Sequence, residues 1–564
     1  VNAKGQLSGA FAFDGPEEQA RRLRADGIVV ENYEEDGVVD KNTEITFKGN
    51  TVVNGLKNGI IVDALNVINN ENNNITVDGD LYAMAYDGHS VNLKNNAKMY
   101  VTGNEIINNT MLIEQGSYEK IDGGLYTSKV VGMPDKEGEE AELKDAVVLK
   151  ENAELVVGHD VNLKATGTAI DVSGISSVGI NQNNNNYDNY IEGAVEKIDG
   201  SADSNAIKVT ENSTVQINGN NNTVIAGKVT ENEATHYTNV AINAQNGSNV
   251  TLSANLANRV GGAVYAKDAG TTVDIQGTEG KTAQNNIYSN AIIKNAGDLA
   301  GQAEGGTDVI SALYAEDGAT INLSGINNIQ TYYVNPSDPD TSERVVWAYD
   351  DATIDIDGYT YISTSKYYES PEAKDIAIAA GTATDLDANK DFGNNYPEAS
   401  EWANVTLDYE NYNNAQSSIT GDILAAYAGN VDINAKNAVT DGLDVNGDLL
   451  SGNGGTLSVD FGNGGTWTGR ADSYIDAGTA DDYDKHKEFY SPAFSSSIIT
   501  GGDVEVFMNN GKWFVDGQSW LNTFKADNTE IYMNAGDTTN PVNSVMIEEM
   551  NGSGNTFYMT LDNN

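Results

Sequence analysis

The fold is decided by a stretch that reads Ala263-Val-Tyr-Ala-Lys-Asp-Ala-Gly-Thr-Thr-Val-Asp-Ile-Gln-Gly277. It returns as Ala312-Leu-Tyr-Ala-Glu-Asp-Gly-Ala-Thr-Ile-Asn-Leu-Ser-Gly325 and again as Val346-Trp-Ala-Tyr-Asp-Asp-Ala-Thr-Ile-Asp-Ile-Asp-Gly358. In each copy a strand of small apolar residues meets an Asp/Gly turn, and a second strand of alternating apolar and polar residues follows. Alternation with a period of two is typical of a strand with one buried face. The sequence therefore contains a strand–turn–strand repeat.

Looser copies of this repeat begin at Ala83, Ala206, Ala241 and Ala425, at irregular spacing. A propeller needs blades of near-constant length, and leucine-rich repeats need a Leu-x-x-Leu-x-Leu consensus that the chain lacks. Irregular spacing is typical of a solenoid whose rungs carry insertions. We therefore predict an all-β chain folded as a right-handed parallel β-helix, or β-solenoid, with loop insertions and about 20–25 residues in an uninterrupted turn.

Turn-forming residues are abundant in the chain. Its 564 residues include 58 Gly and only 8 Pro, and Asn is concentrated in runs such as 69–74 and 220–222. Gly and Asn tolerate the left-handed backbone that tight turns need. We expect the Asn runs to form stacked ladders on the outside of the solenoid.

The charge balance excludes several classes of partner. The chain has 83 acidic and 32 basic residues, a formal net charge of −51. A surface this negative repels nucleic acid and anionic lipid, so we expect no nucleic-acid partner. The chain also has no cysteine, which excludes disulfides, zinc–thiolate sites and cysteine nucleophiles.

The chain divides into three segments by sequence. Asp14 as a cap, Pro16 in the first turn and Gly27 at the end predict one short helix, so residues 1–45 are assigned to an N-terminal cap region. Residues 46–455 are assigned to β-helix rungs with insertions, and residues 456–564 to a stable C-terminal end. Loops, where binding residues commonly lie, are expected at 134–142, 181–190, 332–343, 366–373, 385–401 and 471–492.

The C-terminal segment carries three spaced motifs. They read Gly464-Gly-Thr-Trp-Thr-Gly469, then Asn510-Gly-Lys-Trp-Phe-Val-Asp-Gly-Gln-Ser519, then Asn551-Gly-Ser-Gly-Asn-Thr-Phe557. In this order they resemble the C-terminal end of pertactin-like autotransporter passengers, which show a Trp-Thr-Gly rung, an Asn-Gly-x-Trp-x-Val-x-Gly-x-Ser rung and an Asn- and Gly-rich rung that ends in Phe. Trp520 departs from the family, which more often has a smaller apolar residue there.

The resemblance implies a passenger domain of type V secretion, displayed at the outer membrane or secreted from a diderm bacterium. It also implies that residues 456–564 form an autochaperone-like end, which folds first and templates the other rungs. We expect the passenger to be present without its signal peptide and its C-terminal outer-membrane barrel. Large aromatic residues bury more apolar area than the Val- and Ala-rich rungs, and the expected autochaperone core comprises Trp467, Trp513, Phe514, Trp520 and Phe557.

The sequence offers little chemistry for catalysis. The Gly-Asp-Ser-Gly and Gly-Asp-Ser-Leu blocks of the family's protease and esterase passengers are absent. The four histidines are widely separated, and they are His89, His159, His236 and His486. We therefore expect no enzyme and no cofactor.

A carbohydrate-active β-helix enzyme, a polysaccharide hydrolase or lyase, remains the alternative. A hydrolase needs two carboxylates about 5–9.5 Å apart, which the pairs Asp350/Asp351 and Asp355/Asp357 could supply. For metal, the runs 385–391 and 444–448 imitate the start of a calcium loop. Neither run has the glycine at position six or the glutamate at position twelve, so we expect no metal site.

Tyrosine pairs in the expected loops are the candidate ligand contacts. Tyrosine presents a flat ring with a polar tip, which stacks on sugars or on protein. We predict a non-catalytic surface adhesin that attaches to a host-surface protein or glycan, or that associates with other passengers in cell–cell aggregation, biofilm and virulence. The candidate contacts are Tyr187, Tyr190, Tyr332, Tyr333, Tyr367 and Tyr368.

Overall fold

A computed structural model describes most of the chain. The described residues are 26–31, 34–35, 38–39, 44–55, 57–64, 73–86, 88–127, 130, 143–181, 186–195, 204–231, 234–278, 282–296, 307–332, 342–364, 376–381, 403–412, 415–426, 429–436, 442–452, 454–473, 502–517, 519–533 and 545–559. By its internal contacts the chain forms two units. Unit 1 is Val1–Gly262 with Gln276–Lys281, and unit 2 is Ala263–Ile275 with Thr282–Asn564.

Within these residues the fold is all-β. The described part contains strands and no helix, and accordingly none of it is a helix that could span a membrane. The strands up to the end of the first part of unit 1 are β1 (Ile28–Glu31), β2 (Glu34–Glu35), β3 (Val38–Val39), β4 (Glu44–Lys48), β5 (Thr51–Gly55), β6 (Ile60–Asp63), β7 (Asn74–Asp78), β8 (Leu81–Ala85), β9 (Val91–Lys94), β10 (Lys98–Val101), β11 (Glu105–Ile107), β12 (Met111–Glu114), β13 (Tyr118–Ile121), β14 (Leu125–Thr127), β15 (Val147–Lys150), β16 (Glu154–Val157), β17 (Val161–Lys164), β18 (Ile170–Val172), β19 (Ser177–Ile180), β20 (Asp188–Gly193), β21 (Ile207–Val209), β22 (Thr214–Ala226), β23 (Lys228–Glu231), β24 (Ala234–Tyr237), β25 (Val240–Ala244) and β26 (Asn249–Gly261).

The remaining strands belong to unit 2, except that the last two residues of β28 fall in unit 1. They are β27 (Ala263–Lys267), β28 (Thr272–Gly277), β29 (Gln284–Ser289), β30 (Ile292–Ala296), β31 (Thr307–Ile310), β32 (Leu313–Glu316), β33 (Thr320–Thr331), β34 (Ser342–Ala348), β35 (Thr353–Ser363), β36 (Ile376–Ala380), β37 (Asn404–Tyr409), β38 (Ser418–Thr420), β39 (Asp422–Ala426), β40 (Asn430–Ala435), β41 (Asp444–Asn446), β42 (Leu449–Gly452), β43 (Thr456–Asn463), β44 (Thr466–Gly469), β45 (Ala471–Asp472), β46 (Asp503–Asn509), β47 (Lys512–Val515), β48 (Ser519–Asp527), β49 (Glu530–Met533), β50 (Val545–Asn551) and β51 (Thr556–Met559).

In unit 1 most strands pair in parallel with the strand three places later in the chain. Strand β7 pairs with β10, β10 with β13 and β13 with β16, while β8, β11, β14 and β17 form a second stack. Strands β6, β9, β12 and β15 form a third stack. Three strands per rung in three parallel stacks are consistent with the predicted β-solenoid.

In unit 2 the sequence repeats lie directly on one another. Tyr265 is the register partner of Tyr314, and Tyr314 is the partner of Trp347. After the turn, Thr320 lies between Thr272 and Thr353. The alignment of the three repeats predicted from sequence is therefore confirmed.

One looser copy was placed wrongly by the sequence pattern. Ala206 directly precedes β21, and Ala241 lies in β25. These two strands pair in parallel, with Ile207 opposite Ile242. Ala83 instead belongs to β8, which lies in the stack of β11 and β14. Its apolar strand has the same composition, but it occupies a different side of the rung.

The length of a rung varies as expected for insertions. The backbone N–H of Ala97 bonds to the hydroxyl of Ser117, 20 residues later, and that of Ala153 bonds to Ser176, 23 residues later. The backbone N–H of Ser176 bonds in turn to the hydroxyl of Ser213, 37 residues later, and that of Ser213 bonds to the hydroxyl of Ser248, 35 residues later. A short turn thus has the predicted length, and longer turns add residues outside the stacks.

The tight turns use the left-handed backbone that the composition predicts. Asn95 and Asn96 have φ of 55° and 65°, and Glu211 and Asn212 have φ of 59° and 57°. Two successive residues with positive φ turn the chain from one stack to the next. Asn adopts this backbone conformation more readily than most other residues with a side chain. Ile175, with φ of 62°, occupies one such position despite its branched side chain.

The asparagine ladder lies inside unit 1, not on its outside as the sequence suggested. Asn189, Asn222 and Asn258 are 2%, 0% and 0% exposed. The side-chain amide of Asn189 donates to Asn222 Oδ1 at 2.8 Å, and that of Asn222 donates to Asn258 Oδ1 at 2.9 Å. An amide both donates and accepts, so identical side chains satisfy one another in a stack. Residues 69–72 of the other Asn run lie outside the described residues.

A buried tryptophan stack marks the C-terminal part of unit 2. The rings of Trp467 and Trp513 are 4.4 Å apart and inclined by 6°, and both residues are 0% exposed. Their indole N–H groups donate to the carbonyls of Gly447 and Gly469, each at 3.0 Å. Phe524 packs against Trp513 with ring centroids 5.6 Å apart. The two tryptophans expected in the C-terminal core are therefore in it.

The other three expected core aromatics lie elsewhere. Phe514 is half-buried on the outer side of β47, where it stacks on Tyr532 with ring centroids 4.8 Å apart. Trp520 is half-buried in β48, and Phe557 in β51 is 38% exposed. Phe514 alternates with Trp513 along the strand, so only one of two adjacent aromatics can face inward.

Several expected segments lie outside the described residues. The N-terminal helix expected at 14–27 does so except for residues 26 and 27, which precede β1. Most of the expected loop positions also lie outside the described residues. Two expected loops, 181–190 and 332–343, instead contain the start of a strand, which is Asp188–Gly193 in the first and Ser342–Ala348 in the second. The division at 45 and at 455 remains a prediction.

Replacing the central asparagine of the ladder tests its contribution. In Asn222→Ala, Asn189 loses an acceptor, and Asn258 and the carbonyl of Ser253 lose donors. We expect a loss of about 2–4 kcal/mol in the free energy of unfolding, because each orphaned buried group costs about 1–3 kcal/mol. Urea unfolding followed by circular dichroism measures it. Asn221→Ala is the control, since the side chain of half-exposed Asn221 donates to exposed Asp188, and an equal loss in both variants would contradict the ladder's role.

Removing one ring of the tryptophan stack tests the C-terminal core. We expect Trp513→Ala to lower the free energy of unfolding by about 3–5 kcal/mol, as large aromatic truncations in a core do. Trp513→Phe keeps a ring and loses only the bond to Gly469, so its loss is smaller. Tyr558→Ala is the control at a position 45% exposed. A Trp513→Ala protein as stable as the control would show that the stack contributes little.

Candidate ligand-binding face

A group of aromatic and polar side chains, most of them half-exposed, lies on the outer side of one stack in unit 1. Tyr126 of β14 is the register partner of Asn162 in β17, and Asn162 is the partner of Tyr190 in β20. Because side chains alternate along a strand, all three point away from the core residues beside them. We call this surface the tyrosine face, and it comprises Tyr126, His159, Asp160, Asn162, Lys164, Tyr187, Tyr190 and Glu192.

Carboxylates hold two of its phenol groups in place. The hydroxyl of Tyr126 donates to Asp160 Oδ1 at 3.0 Å, and that of Tyr190 donates to Glu192 Oε2 at 2.8 Å. Partial burial, and then the adjacent charge of Asp160, raise the pKa of Tyr126 to about 12. Burial and Glu192 raise the pKa of Tyr190 above its ordinary value. Both phenols therefore stay protonated at neutral pH.

The other rings of the face are ordered by stacking and by one cation. His159 and Tyr187 stack with ring centroids 4.4 Å apart and an interplanar angle of 25°. The ammonium of Lys164 lies 5.1 Å from the ring centre of Tyr190 and 3.9 Å from Glu192 Oε2. Each ring is thus held in one orientation before any ligand arrives, which lowers the entropic cost of binding.

The tyrosine face contains two of the six tyrosines predicted from sequence. Tyr187 and Tyr190 come together there, although Tyr190 lies in β20 and not in a loop. Tyr332 is 56% exposed at the end of β33 in unit 2. The remaining three, Tyr333, Tyr367 and Tyr368, lie outside the described residues.

Sequence reasoning missed Tyr126 and His159. Tyr126 lies between Leu125 and Thr127 in a short alternating strand, and this pattern marks it as outward-facing. It is isolated in the sequence, and only the register of β14 on β17 brings it beside the other rings. His159 is one of four widely separated histidines, and its stacking on Tyr187 depends on a contact that the sequence does not indicate.

A second aromatic cluster, in unit 2, is closed to ligands. Tyr265, Tyr314 and Trp347 stack with centroid distances of 5.4 and 4.8 Å, and Tyr314 and Trp347 are 0% exposed. The hydroxyls of both tyrosines donate to the carboxylate of Glu316. The ammonium of Lys267 lies 3.0 Å from the same carboxylate. These contacts tie neighbouring rungs together.

Arg344 belongs to the same closed cluster. Its guanidinium lies 4.2 Å from the ring centre of Trp347, and the residue is 1% exposed. Burial lowers the pKa of Arg344 to about 10. A cation over an indole face is stabilised by the negative electrostatic potential of that face, most strongly where water is excluded.

The acid pairs considered for hydrolysis have different surroundings. Asp355 and Asp357 lie on the outer side of β35, where Asp357 forms an ion pair with Lys436. Asp350 and Asp351 form a left-handed turn with φ of 46° and 60°. Partial burial, with Asp317 and Asp351 nearby, raises the pKa of Asp350 to about 6.

The calcium-like run at 444–448 is part of the strand stack. Asp444 begins β41, and Asp448 Oδ2 accepts a bond from Arg470 Nε at 2.8 Å. The described residues contain no group of three or more Asp, Glu, His or Cys side chains that could hold a metal ion. The run at 385–391 lies outside the described residues.

The remaining histidines are not near one another. His89 is largely buried, and burial together with nearby lysines, of which Lys144 contributes most, lowers its pKa to about 4. His236 lies in β24, in a two-stranded hairpin with β23. His486 lies outside the described residues.

Comparison of the chain with protein-family models, with curated proteins and with solved structures finds no match.

The carboxylate contact on the tyrosine face makes a prediction about titration. Asp160→Asn removes the negative charge beside Tyr126, so we expect the pKa of Tyr126 to fall from about 12 toward its ordinary value of about 10. Burial remains, so the fall is partial. NMR titration of ring-labelled tyrosine measures it, with Tyr126→Phe to assign the signal. Asp188→Asn, at an exposed position, is the control; an unchanged Tyr126 pKa in Asp160→Asn would show that the carboxylate has no influence.

Proposed function

We propose that this chain is a non-catalytic adhesin, the passenger domain of a pertactin-like autotransporter. In this proposal it folds as a right-handed β-helix with loop insertions and an N-terminal helical cap. It is displayed on the surface of a diderm bacterium and attaches to a host-surface protein or glycan, or to passengers on other cells. The observation that carries the binding role is the tyrosine face of unit 1.

The tyrosine face has the properties of a binding surface. Its three tyrosines are half-exposed. Tyr126 is held by its hydrogen bond to Asp160, and Tyr190 by its hydrogen bond to Glu192. Tyr187 is held by stacking on His159. Tyrosine is enriched in protein interfaces because it adds large contact area at low entropic cost. The face thus offers apolar ring surface beside hydrogen-bonding groups, which suits a glycan or a polar protein surface.

Charge narrows the class of ligand. Asp160, Asp188 and Glu192 stand on or beside the face, and Lys164 is the cation that contacts its rings. With a formal net charge of −51 on the chain, an anionic glycan is repelled. The favoured ligands are therefore neutral glycans and basic protein segments.

The passenger identity is supported by the C-terminal part of unit 2. The motifs that resemble the family reach strands of one stack. Trp467 of the first motif pairs with Trp513 of the second, and Ile531 of β49 lies between Trp513 and Phe557 of the third. The buried tryptophan pair supports an unusually stable end, which is the expected property of an autochaperone segment. Its role in templating the other rungs is part of the proposal.

A binding assay with purified protein tests the adhesin function. We expect saturable binding to neutral glycans on an array or to immobilised matrix proteins. Tyr126→Ala/Tyr190→Ala should weaken it about 30-fold or more, because truncating a central interface aromatic costs about 2 kcal/mol or more. The matched control is Tyr118→Ala, since Tyr118 lies outward on β13 of the same unit and contacts Tyr100 at 5.9 Å.

Two results would count against the proposal. Equal binding by the double variant and by the control would remove the tyrosine face from the function. Release of reducing or unsaturated sugars from a polysaccharide, without saturable binding elsewhere, would favour the alternative of a carbohydrate-active enzyme.

Aggregation of bacteria displaying the chain, lost in the same double variant, would select passenger self-association over host attachment.

A further inference from the structure

Two glutamates point into the interior of unit 1. Glu105 of β11 is the register partner of Leu81 in β8 and of Leu125 in β14, and it occupies the same inward row as these leucines. Its side chain is 0% exposed. An acidic residue thus takes a position that is apolar in the rungs on either side.

The second glutamate comes from the neighbouring stack. Glu119 of β13 lies between Met99 of β10 and Leu155 of β16, and it is also 0% exposed. The carboxyl groups of Glu105 and Glu119 lie in the interior of unit 1, near enough for each to influence the pKa of the other. They come from consecutive rungs and from two different stacks, so the contact crosses the interior.

The pair has no other polar partner in the described part of the chain. None of the four carboxyl oxygens receives a hydrogen bond from another described group. The facing positions of the four packed strands are Leu81, Leu125, Met99 and Leu155, none of which titrates. Two ionised carboxylates in such surroundings would lack both solvation and a counter-charge. A proton between them supplies the missing donor and removes one charge.

We propose that Glu105 and Glu119 share a proton in the interior of unit 1, and that this pair makes the rungs from Lys98 to Thr127 a pH-sensitive segment that loosens as the pH rises. Loss of the shared proton leaves two facing charges in an apolar interior. The segment relieves this by opening enough to admit water, while strands without such a pair remain closed.

The direction of the effect follows from the two pKa values. Burial, and for Glu105 also the neighbouring Glu119, raises both pKa values above the ordinary value for Glu. The folded segment therefore holds protons that the opened segment releases. Its stability is complete below the ordinary Glu pKa of about 4.3, and it is lost as the pH rises from there toward the raised folded value.

Hydrogen–deuterium exchange of the full chain tests the proposal. The measured quantity is the protection of amides in β10, β11 and β13, corrected for the intrinsic rate at each pH. We expect protection to fall at least ten-fold between pH 5 and pH 8 in the wild type. In Glu105→Gln/Glu119→Gln, where amides replace both carboxyls, protection should not fall over this range. Glu154→Gln, an exposed acid on β16, should behave as the wild type.

Comparison of the wild type with the Glu105→Gln/Glu119→Gln variant separates the effect of this pair from the effects of other titrating groups. His89, whose pKa is lowered, destabilises unit 1 as the pH falls below its ordinary value, and it does so equally in both proteins. Infrared spectroscopy adds a readout that does not depend on the variant's folding. The wild type at neutral pH should show the carbonyl stretch of a protonated carboxylic acid. Absence of that band, or pH-independent protection in the wild type, or parallel pH profiles in the two proteins would overturn the proposal.

Discussion

The structure depends on one constraint, the in-register parallel stacking of most strands on a strand of the next rung. In unit 2, Val273, Ile321 and Ile354 succeed one another at a single inward position. Parallel pairing of this kind puts corresponding side chains about 4.8 Å apart, so each residue packs mainly against its counterparts above and below. The environment of a residue is therefore set by the residues at the same position in the neighbouring rungs.

This constraint explains which polar residues the interior accepts. Asn222 both accepts from Asn189 and donates to Asn258, so a buried row of amides is fully satisfied. Glu105 and Glu119 cannot satisfy each other while both are ionised, because a carboxylate only accepts. Stacking thus produces the stabilising ladder, whereas the proposed proton-dependent contact joins glutamates of two different stacks. Outside the stacks it orders Tyr126, Asn162 and Tyr190 into the proposed binding face.

Much of the strand architecture could be predicted from the sequence, because the repeat pattern reflects the stacking itself. Copies beginning at Ala263 and Ala312 align strand by strand, with one more residue in the turn of the first copy, and the structure pairs both strands in that register. It was harder to predict which of the three stacks a given strand joins, since the apolar strands of all three have similar compositions. The strand that contains Ala83 is the example. Asparagines were expected outside because Asn is usually exposed, but Asn222 is buried where its stack supplies the partners.

The candidate site was only partly predictable for the same reason. Tyr187 and Tyr190 are close in sequence, whereas Tyr126 joins them only through register partners far along the chain. Such partners follow from the lengths of the insertions between strands, which the local sequence pattern does not determine. Segments such as 365–375, with two of the candidate tyrosines, lie outside the described residues.

Cysteine cross-linking measures the register directly, because the natural chain has no cysteine. Thr320 and Thr353 are register partners on the outer side of unit 2. Parallel neighbours lie about 4.8 Å apart, which is within the Cα–Cα separation of about 4.4–6.8 Å that a disulfide allows. Thr320→Cys/Thr353→Cys should therefore oxidise readily to an intramolecular disulfide. Thr320→Cys/Asp355→Cys, shifted by two residues to about 8 Å, should not. Equal cross-linking in both, or cross-linking of the shifted pair alone, would contradict the stacking on which the structure depends.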